Sequence, residues 1–429
     1  DVAKSGPILP VVNDIDARFI GQVAGDHLFL QTNWDAPKGR ILRVDLDNPA
    51  REHWREVIPE SDSVIEGLSL VGGKLFVNYL RNVGSRVKIF QPDGKHVRDI
   101  PFPAMGSVSD IGGRWKGEEA FFSFSSFHIP STIYRYHVEQ GSREIWSRLE
   151  VPINSGAFEV KQVWYKSKDG TKVPMFLVHA GGAKLDGSNP TLLTGYGGFN
   201  ISLTPWFSAV AALWVETGGV YAVANLRGGG EFGEEWHDAG MLEKKQNVFD
   251  DFIAAAESLI QNGYTNPSKL AISGGSNGGL LVGAAVTQRP ELFRAVVCSY
   301  PLLDMVRYHK FLVAEFWVSE FGSSEDPDQL KYIYAYSPYH RVKQGTKYPA
   351  VLFITGDADT RVDPLHARKM TPLLQSATAS GKPVLLRYHI KAGHSGGRPL
   401  SKVIEDTTDE FSFLLWQLGM RFSAPPSSP

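Results

Sequence analysis

The sequence predicts an α/β fold in two parts, a strand-rich first third followed by a mainly parallel sheet covered by helices. Three observations carry that prediction. Strand-like segments recur at a near-constant period up to about residue 150. Apolar runs of strand length then alternate with amphipathic helical patterns, and a glycine-rich turn joins one such run to one such helix.

In the first third, His27–Gln31, Lys74–Asn78 and Ala120–Phe124 open three similar units whose starts lie 47 and 46 residues apart. Each is followed by a polar turn and a second strand, at Arg40–Val44, Arg86–Phe90 and Ser131–Arg135. That period suits β-propeller blades, small antiparallel sheets that need neighbours to bury their faces. A meander or sandwich with coincident spacing is the competing reading. Three units fall short of the roughly four blades of the smallest common ring.

Beyond residue 150, Val160–Tyr165 and Lys172–Val178 flank Lys168-Asp169-Gly170, a hairpin signal. Buried-type strands follow at Thr191–Thr194, Gly219–Ala224, Leu270–Ile272, Ala295–Val297, Ala350–Ile354 and Val384–Tyr388. Helical patterns over 247–262, 277–288, 364–378 and 401–418 alternate with them, which predicts helices packed on a parallel sheet. In the first of these, Phe249, Phe252, Ile253, Ala256 and Ile260 share a face. The expected division is a partial propeller over 1–150, a catalytic domain over 151–423 and a disordered tail over 424–429.

Composition narrows the function. A net charge of −2 offers no basic footprint for nucleic acid, and no apolar run approaches the length of a membrane span. The single cysteine, Cys298, excludes an intrachain disulfide and is expected to be a buried structural thiol. The chain opens at Asp1 without a basic-then-apolar leader, and some upstream sequence is expected to have been removed or left out.

The chemistry centres on Gly274-Gly275-Ser276-Asn277-Gly278, a G-x-S-x-G pattern between a predicted strand and a predicted helix. That context defines a nucleophile elbow, in which Gly274, Gly275 and Gly278 permit a strained turn. Ser273 is read as turn packing. The helix N-terminus aims its amides at the reaction centre, with the Asn277 amide as one oxyanion donor. A phosphate cradle is disfavoured by the missing Gly-Lys-[Ser/Thr] ending.

An elbow serine needs a base and an orienter, in the order Ser, Asp or Glu, His. Gly356-Asp357-Ala358-Asp359 ends a predicted strand, and Gly393-His394 follows the next, with Gly396 beyond it. All three groups then fall at one carboxyl edge of the sheet. Asp357 and Asp359 compete for the orienting role; Asp359 is favoured because it reaches further over that edge. His394 would take the Ser276 proton while the aspartate fixes the imidazole tautomer. No H-E-x-x-H or comparable metal pattern occurs, and no metal or cofactor is expected.

Five segments in order resemble the prolyl oligopeptidase family of serine peptidases, which carry an α/β-hydrolase catalytic domain preceded by a β-propeller. They are Gly195-Tyr196-Gly197-Gly198-Phe199-Asn200, Asn225-Leu226-Arg227-Gly228-Gly229-Gly230-Glu231-Phe232-Gly233, the elbow, Asp359-Thr360-Arg361-Val362 and Lys391-Ala392-Gly393-His394. The resemblance implies a triad of Ser276, Asp359 and His394, deciding between the two aspartates. It implies oxyanion donation by the Tyr196 hydroxyl beside the Asn277 amide, and an Arg361 hydrogen bond to a substrate carbonyl. It also implies a proline pocket in which Trp317 stacks on the ring and Phe199, Leu302, Phe321 and Val362 complete an apolar wall. Leu302 and Phe321 stand where the family commonly has valine and tyrosine.

The implied activity is cleavage of short peptides after proline by a monomer, in the cytoplasm or alternatively the periplasm. The family's propeller has seven blades, so the N-terminal segment and about four blades are expected from sequence absent here. Related peptidases of acylaminoacyl-, dipeptidyl- or oligopeptidase B type, an esterase, and a non-catalytic binding protein are the alternatives.

Overall fold

The computed structural model describes residues 10–109, 111–394 and 399–421. The tail at 424–429 and Gly396 lie outside the described residues. The chain divides into two compact units. One comprises Asp1–Val151, Thr204–Trp206 and Glu231–Glu235, and the other comprises Pro152–Leu203, Phe207–Gly230 and Trp236–Pro429.

The first unit is built of three antiparallel sheets. Strands β1 (Phe19–Ala24), β2 (His27–Thr32), β3 (Arg40–Asp45) and β4 (Arg55–Ile58) form one in that order. β5 (Val64–Val71), β6 (Lys74–Arg81), β7 (Gly84–Phe90) and β8 (His96–Ile100) form the second. In the third, β9 (Ser107–Val108) and β10 (Gly112–Gly113) pair with β11 (Glu119–Ser126), followed by β12 (Ile129–His137) and β13 (Arg143–Arg148). The periodic segments of the sequence are the inner pairs β2–β3, β6–β7 and β11–β12, and the structure adds strands outside each pair.

Side chains alternate across a strand, so the second sheet can be apolar on both faces. Leu75, Val77 and Tyr79 of β6 share a core with Phe29 and Ile41 of the first sheet. Phe76, Val87 and Ile89 share another with Phe122 and Phe124 of the third. Stacking of this kind is the packing logic of propeller blades.

The second unit holds an eight-stranded sheet. Its strands are β14 (Phe158–Lys166), β15 (Lys172–Ala180), β16 (Thr191–Gly195), β17 (Val220–Ala224), β18 (Leu270–Gly275), β19 (Ala295–Ser299), β20 (Ala350–Gly356) and β21 (Val384–His389). Their spatial order is β14-β15-β17-β16-β18-β19-β20-β21. Only the β14–β15 and β15–β17 pairs are antiparallel. The helices are α1 (Ala209–Glu216), α2 (Glu234–Asp238), α3 (Gln246–Gln261), α4 (Asn277–Gln288), α5 (Val318–Phe321), α6 (Pro327–Tyr336), α7 (Pro338–Arg341), α8 (Leu365–Ala377) and α9 (Leu400–Leu418).

Alternation again assigns the faces. Leu193, Ile272, Val296, Val351 and Phe353 pack with α3, α4 and α8. Leu192, Ala271, Val297, Leu352 and Ile354 pack with Trp214 of α1 and Phe411, Phe413 and Leu414 of α9. Phe249 and Phe252 of α3 are almost wholly buried, each contributing roughly 1.5–3 kcal/mol through the area removed from water. Because β16, β18, β19, β20 and β21 are parallel, their carboxyl ends at Gly195, Gly275, Ser299, Gly356 and His389 share one edge. Residues beyond those ends are brought together there.

Candidate active site

Ser276 occupies the turn from β18 into α4 with φ 57° and ψ −120°, a backbone conformation that only glycine adopts without strain. Its amide donates to Ser299 O at 2.9 Å, tying the turn to the neighbouring strand. A Cβ on Gly274 would stand 2.1 Å from Gly278 O, and one on Gly279 would stand 2.7 Å from Pro301 Cα. Gly275 has 3.6 Å of clearance, so close packing falls on Gly274 and Gly279 rather than on Gly275. Ser273 lies within β18, registered between Thr194 and Val297.

Asn277 is the first residue of α4, so its amide has no acceptor within the helix. Its buried side chain donates from Nδ2 to Tyr196 O at 2.6 Å and pins the loop that follows β16. Tyr196 and Ser276 line the same cleft; burial raises the pKa of the Tyr196 hydroxyl, so it remains a protonated donor near neutrality. Cys298 is buried beside the elbow, donates to Gly279 O at 3.4 Å, and has its thiol pKa pushed up by burial.

Asp359 and His394 meet beyond β20 and β21, with Oδ2 2.7 Å from Nδ1. Asp359 is buried, and its Oδ1 accepts from the Arg361 and Val362 amides, both at 2.9 Å. Asp357 is exposed and instead accepts from the Lys391 amide at 2.6 Å, capping the loop that carries His394. Gly356 lets that loop approach, since a Cβ there would lie 2.2 Å from Ala392 O. The Tyr300 ring packs edge-on against the imidazole at 5.5 Å, a contact that no sequence pattern signals.

Tyr196, Phe199, Ile201, Ser276, Leu302, Trp317 and Arg361 line a cleft of about 160 Å³. Phe199 meets Trp317 edge-on at 6.3 Å and Phe321 at 5.4 Å. Phe321 and Val362 are both buried in the core cluster that backs this lining. Ile201, absent from the sequence reading, adds an exposed apolar group at the rim. Arg361 is exposed and, among the described residues, forms no ion pair. The two carboxylates nearest in sequence, Asp357 and Asp363, accept from the Lys391 and Leu365 amides.

Under the cleft, Glu320 of α5 is buried with His237 Nε2 at 2.8 Å and Lys245 Nζ at 3.1 Å. Burial opposes its ionisation, yet the hydrogen bond with His237 and the Lys245 charge hold its carboxyl below the usual range.

A mostly parallel eight-stranded sheet with a strained serine between strand and helix defines an α/β-hydrolase fold. Residues 205–421 match the prolyl oligopeptidase family, and residues 1–148 match its N-terminal beta-propeller domain. The chain belongs to the prolyl oligopeptidase family. It is 41% identical over 423 residues to the prolyl endopeptidase of Elizabethkingia meningoseptica, covering 98% of this chain and 60% of that protein. Among solved structures, it superposes with a TM-score of 0.93 at 48% identity on a prolyl endopeptidase studied for inter-domain dynamics. That match covers 96% of this chain and 61% of the other. A post-proline cleaving enzyme from Rickettsia typhi gives a TM-score of 0.86 at 31% identity, covering 95% and 61%. The chain therefore spans about three fifths of the length of these relatives. Among the described residues, no helix is long and apolar enough to cross a membrane.

Proposed function

We propose that this chain forms the catalytic part of a serine endopeptidase that cuts short peptides on the carboxyl side of proline. The observation that carries the reading is the Asp359–His394 pair at the sheet edge that bears the Ser276 elbow, beside a cleft walled by Phe199 and Trp317.

In this mechanism Ser276 Oγ attacks the scissile carbonyl and passes its proton to His394 Nε2. Asp359 holds the Nδ1–H and stabilises the imidazolium. The carbonyl oxygen becomes an oxyanion that accepts from the Asn277 amide and the Tyr196 hydroxyl. His394 then protonates the leaving amine, leaving an acyl-enzyme that water hydrolyses by the reverse proton path. Arg361 donates to a substrate carbonyl upstream of the cleaved bond.

A proline ring has no N–H to satisfy and suits flat aromatic contact, which Trp317 and Phe199 offer; Leu302 closes the wall, backed by Phe321 and Val362. Arg361 is the one charged group in the described lining, a poor match for a basic substrate side chain. Residues 1–150 are read as propeller blades and 151–423 as the catalytic domain. The same reading expects further blades beyond the outer sheets, where Ile20, Val23, Ile145 and Trp146 are exposed. It also expects a monomer with a cytoplasmic or periplasmic address.

The test is hydrolysis of chromogenic Gly-Pro, Ala, Arg and acyl-ester substrates by natural-length protein and its Ser276→Ala variant. Preference for Gly-Pro, abolished by the substitution, is expected. Equal rates on all substrates, or full activity in the variant, would overturn the reading.

A further inference from the structure

The turn after β16 carries both the Tyr196 hydroxyl and the Phe199 ring in an unfavourable backbone. Gly197, Phe199 and Asn200 have φ of 63°, 57° and 56°, and two of the three are not glycine. Such a turn persists only where its surroundings over-determine it. Two contacts do so from beneath: Lys245 Nζ donates to Gly197 O at 2.9 Å and to Glu320 Oε1 at 3.1 Å.

Glu320 also belongs to the helix that follows Trp317 and lies one residue before Phe321. Through Lys245 the carboxylate therefore ties the turn bearing Phe199 to the segment bearing Trp317. Both ionic side chains are almost wholly buried, at 1% exposure for Lys245 and 4% for Glu320. Burying a paired charge is weak support for a fold, since apolar side chains of similar volume often serve stability equally well. The pair is better explained by the geometry that it imposes.

We propose that Glu320 and Lys245 are positioning residues that fix the Gly195–Asn200 turn against the Trp317 segment, and thereby set selectivity among substrate side chains without touching substrate. This rests on reading the cleft as the pocket for the residue before the cleaved bond. His237, hydrogen-bonded to the second Glu320 oxygen, holds the carboxylate in the orientation that meets Lys245.

The experiment compares natural-length wild type with Glu320→Gln and with the apolar pair Lys245→Met, Glu320→Leu. kcat and KM are measured on Gly-Pro and Gly-Ala substrates. The ratio of the two kcat/KM values does not depend on how much enzyme is folded, so a purely structural role leaves it unchanged. The apolar pair is expected to fold with a thermal midpoint near wild type and to lose roughly ten- to a hundredfold of the proline-to-alanine ratio. Glu320→Gln retains an acceptor and should keep part of that ratio; it is also the measured variant if the apolar pair does not fold. An unchanged ratio in the folded variants overturns the proposal. If wild type shows no proline preference, the reading of the cleft fails instead, and the same comparison is made between the two residues that wild type cleaves best.

Discussion

Asp359 divides its carboxylate between two tasks: Oδ2 meets His394 Nδ1 at 2.7 Å, while Oδ1 accepts from the Arg361 and Val362 amides of its own turn. The amide contacts stop the carboxylate from rotating, so the imidazole is presented in one orientation and one tautomer. Asp357, two residues earlier, is spent on the Lys391 amide.

Asp359→Asn should therefore lower kcat by about 10⁴, because an amide at this position favours the wrong imidazole tautomer. Asp357→Asn should cost less than about tenfold, since it loosens only the loop. Steady-state kinetics on a Gly-Pro substrate distinguishes the two aspartates, and comparable losses in both variants would contradict their assignment.

Tyr196→Phe removes one oxyanion donor and leaves the ring. The expected result is a fall in kcat of about 10²–10³ with little change in KM. A change confined to KM would instead make Tyr196 a binding residue.

The two tight glycines of the elbow should be intolerant. Gly274→Ala and Gly279→Ala press a methyl against Gly278 O and Pro301 Cα, and each is expected to cost about 1–3 kcal/mol or more. Gly275→Ala, with 3.6 Å of clearance, should stay within about 0.5 kcal/mol. Denaturant unfolding of the three variants would show the contrast.

Stability should fall in mild acid through His366. This buried imidazole accepts on Nδ1 from the Leu303 and Asp304 amides at 3.3 and 3.1 Å, and burial lowers its pKa from 6.5 to about 4. The unfolded chain binds the proton more readily, so the contribution is fully present above about pH 6.5 and is lost as pH falls toward 4. The size is on the order of 3 kcal/mol. A His366→Gln variant should lose most of that slope between pH 7 and 4.5 in urea unfolding.

Several elements are legible because their chemistry has few alternatives. The helices α3, α4, α8 and α9 fall within one residue of their sequence limits; α3, α8 and α9 pair an apolar stripe with a polar one, while α4, buried along most of its length, is marked by the glycine turn that precedes it. The elbow is legible because a sharp strand-to-helix turn requires glycine at fixed offsets. The outer strands β1, β4, β8 and β13 escape notice because they are short and largely exposed or half-buried, with pairing supplied by the inner strands. Tyr300 and the Lys245–Glu320 pair escape for another reason. An isolated tyrosine or lysine carries no period, and its role appears only when distant strands and helices converge. Phe321 and Val362, read as pocket wall, are buried in the core cluster that backs the lining, with Phe321 edge-on to Phe199.

The positive φ of Ser276 has a consequence for the protein's history as well as its chemistry. At this position a glycine would relax the backbone and raise stability by roughly 1–2 kcal/mol, while abolishing the hydroxyl. Selection for a sturdier fold and selection for turnover thus pull in opposite directions at a single codon. A lineage released from the need to cut peptides would be expected to lose this serine early, and to become harder to unfold as it did so.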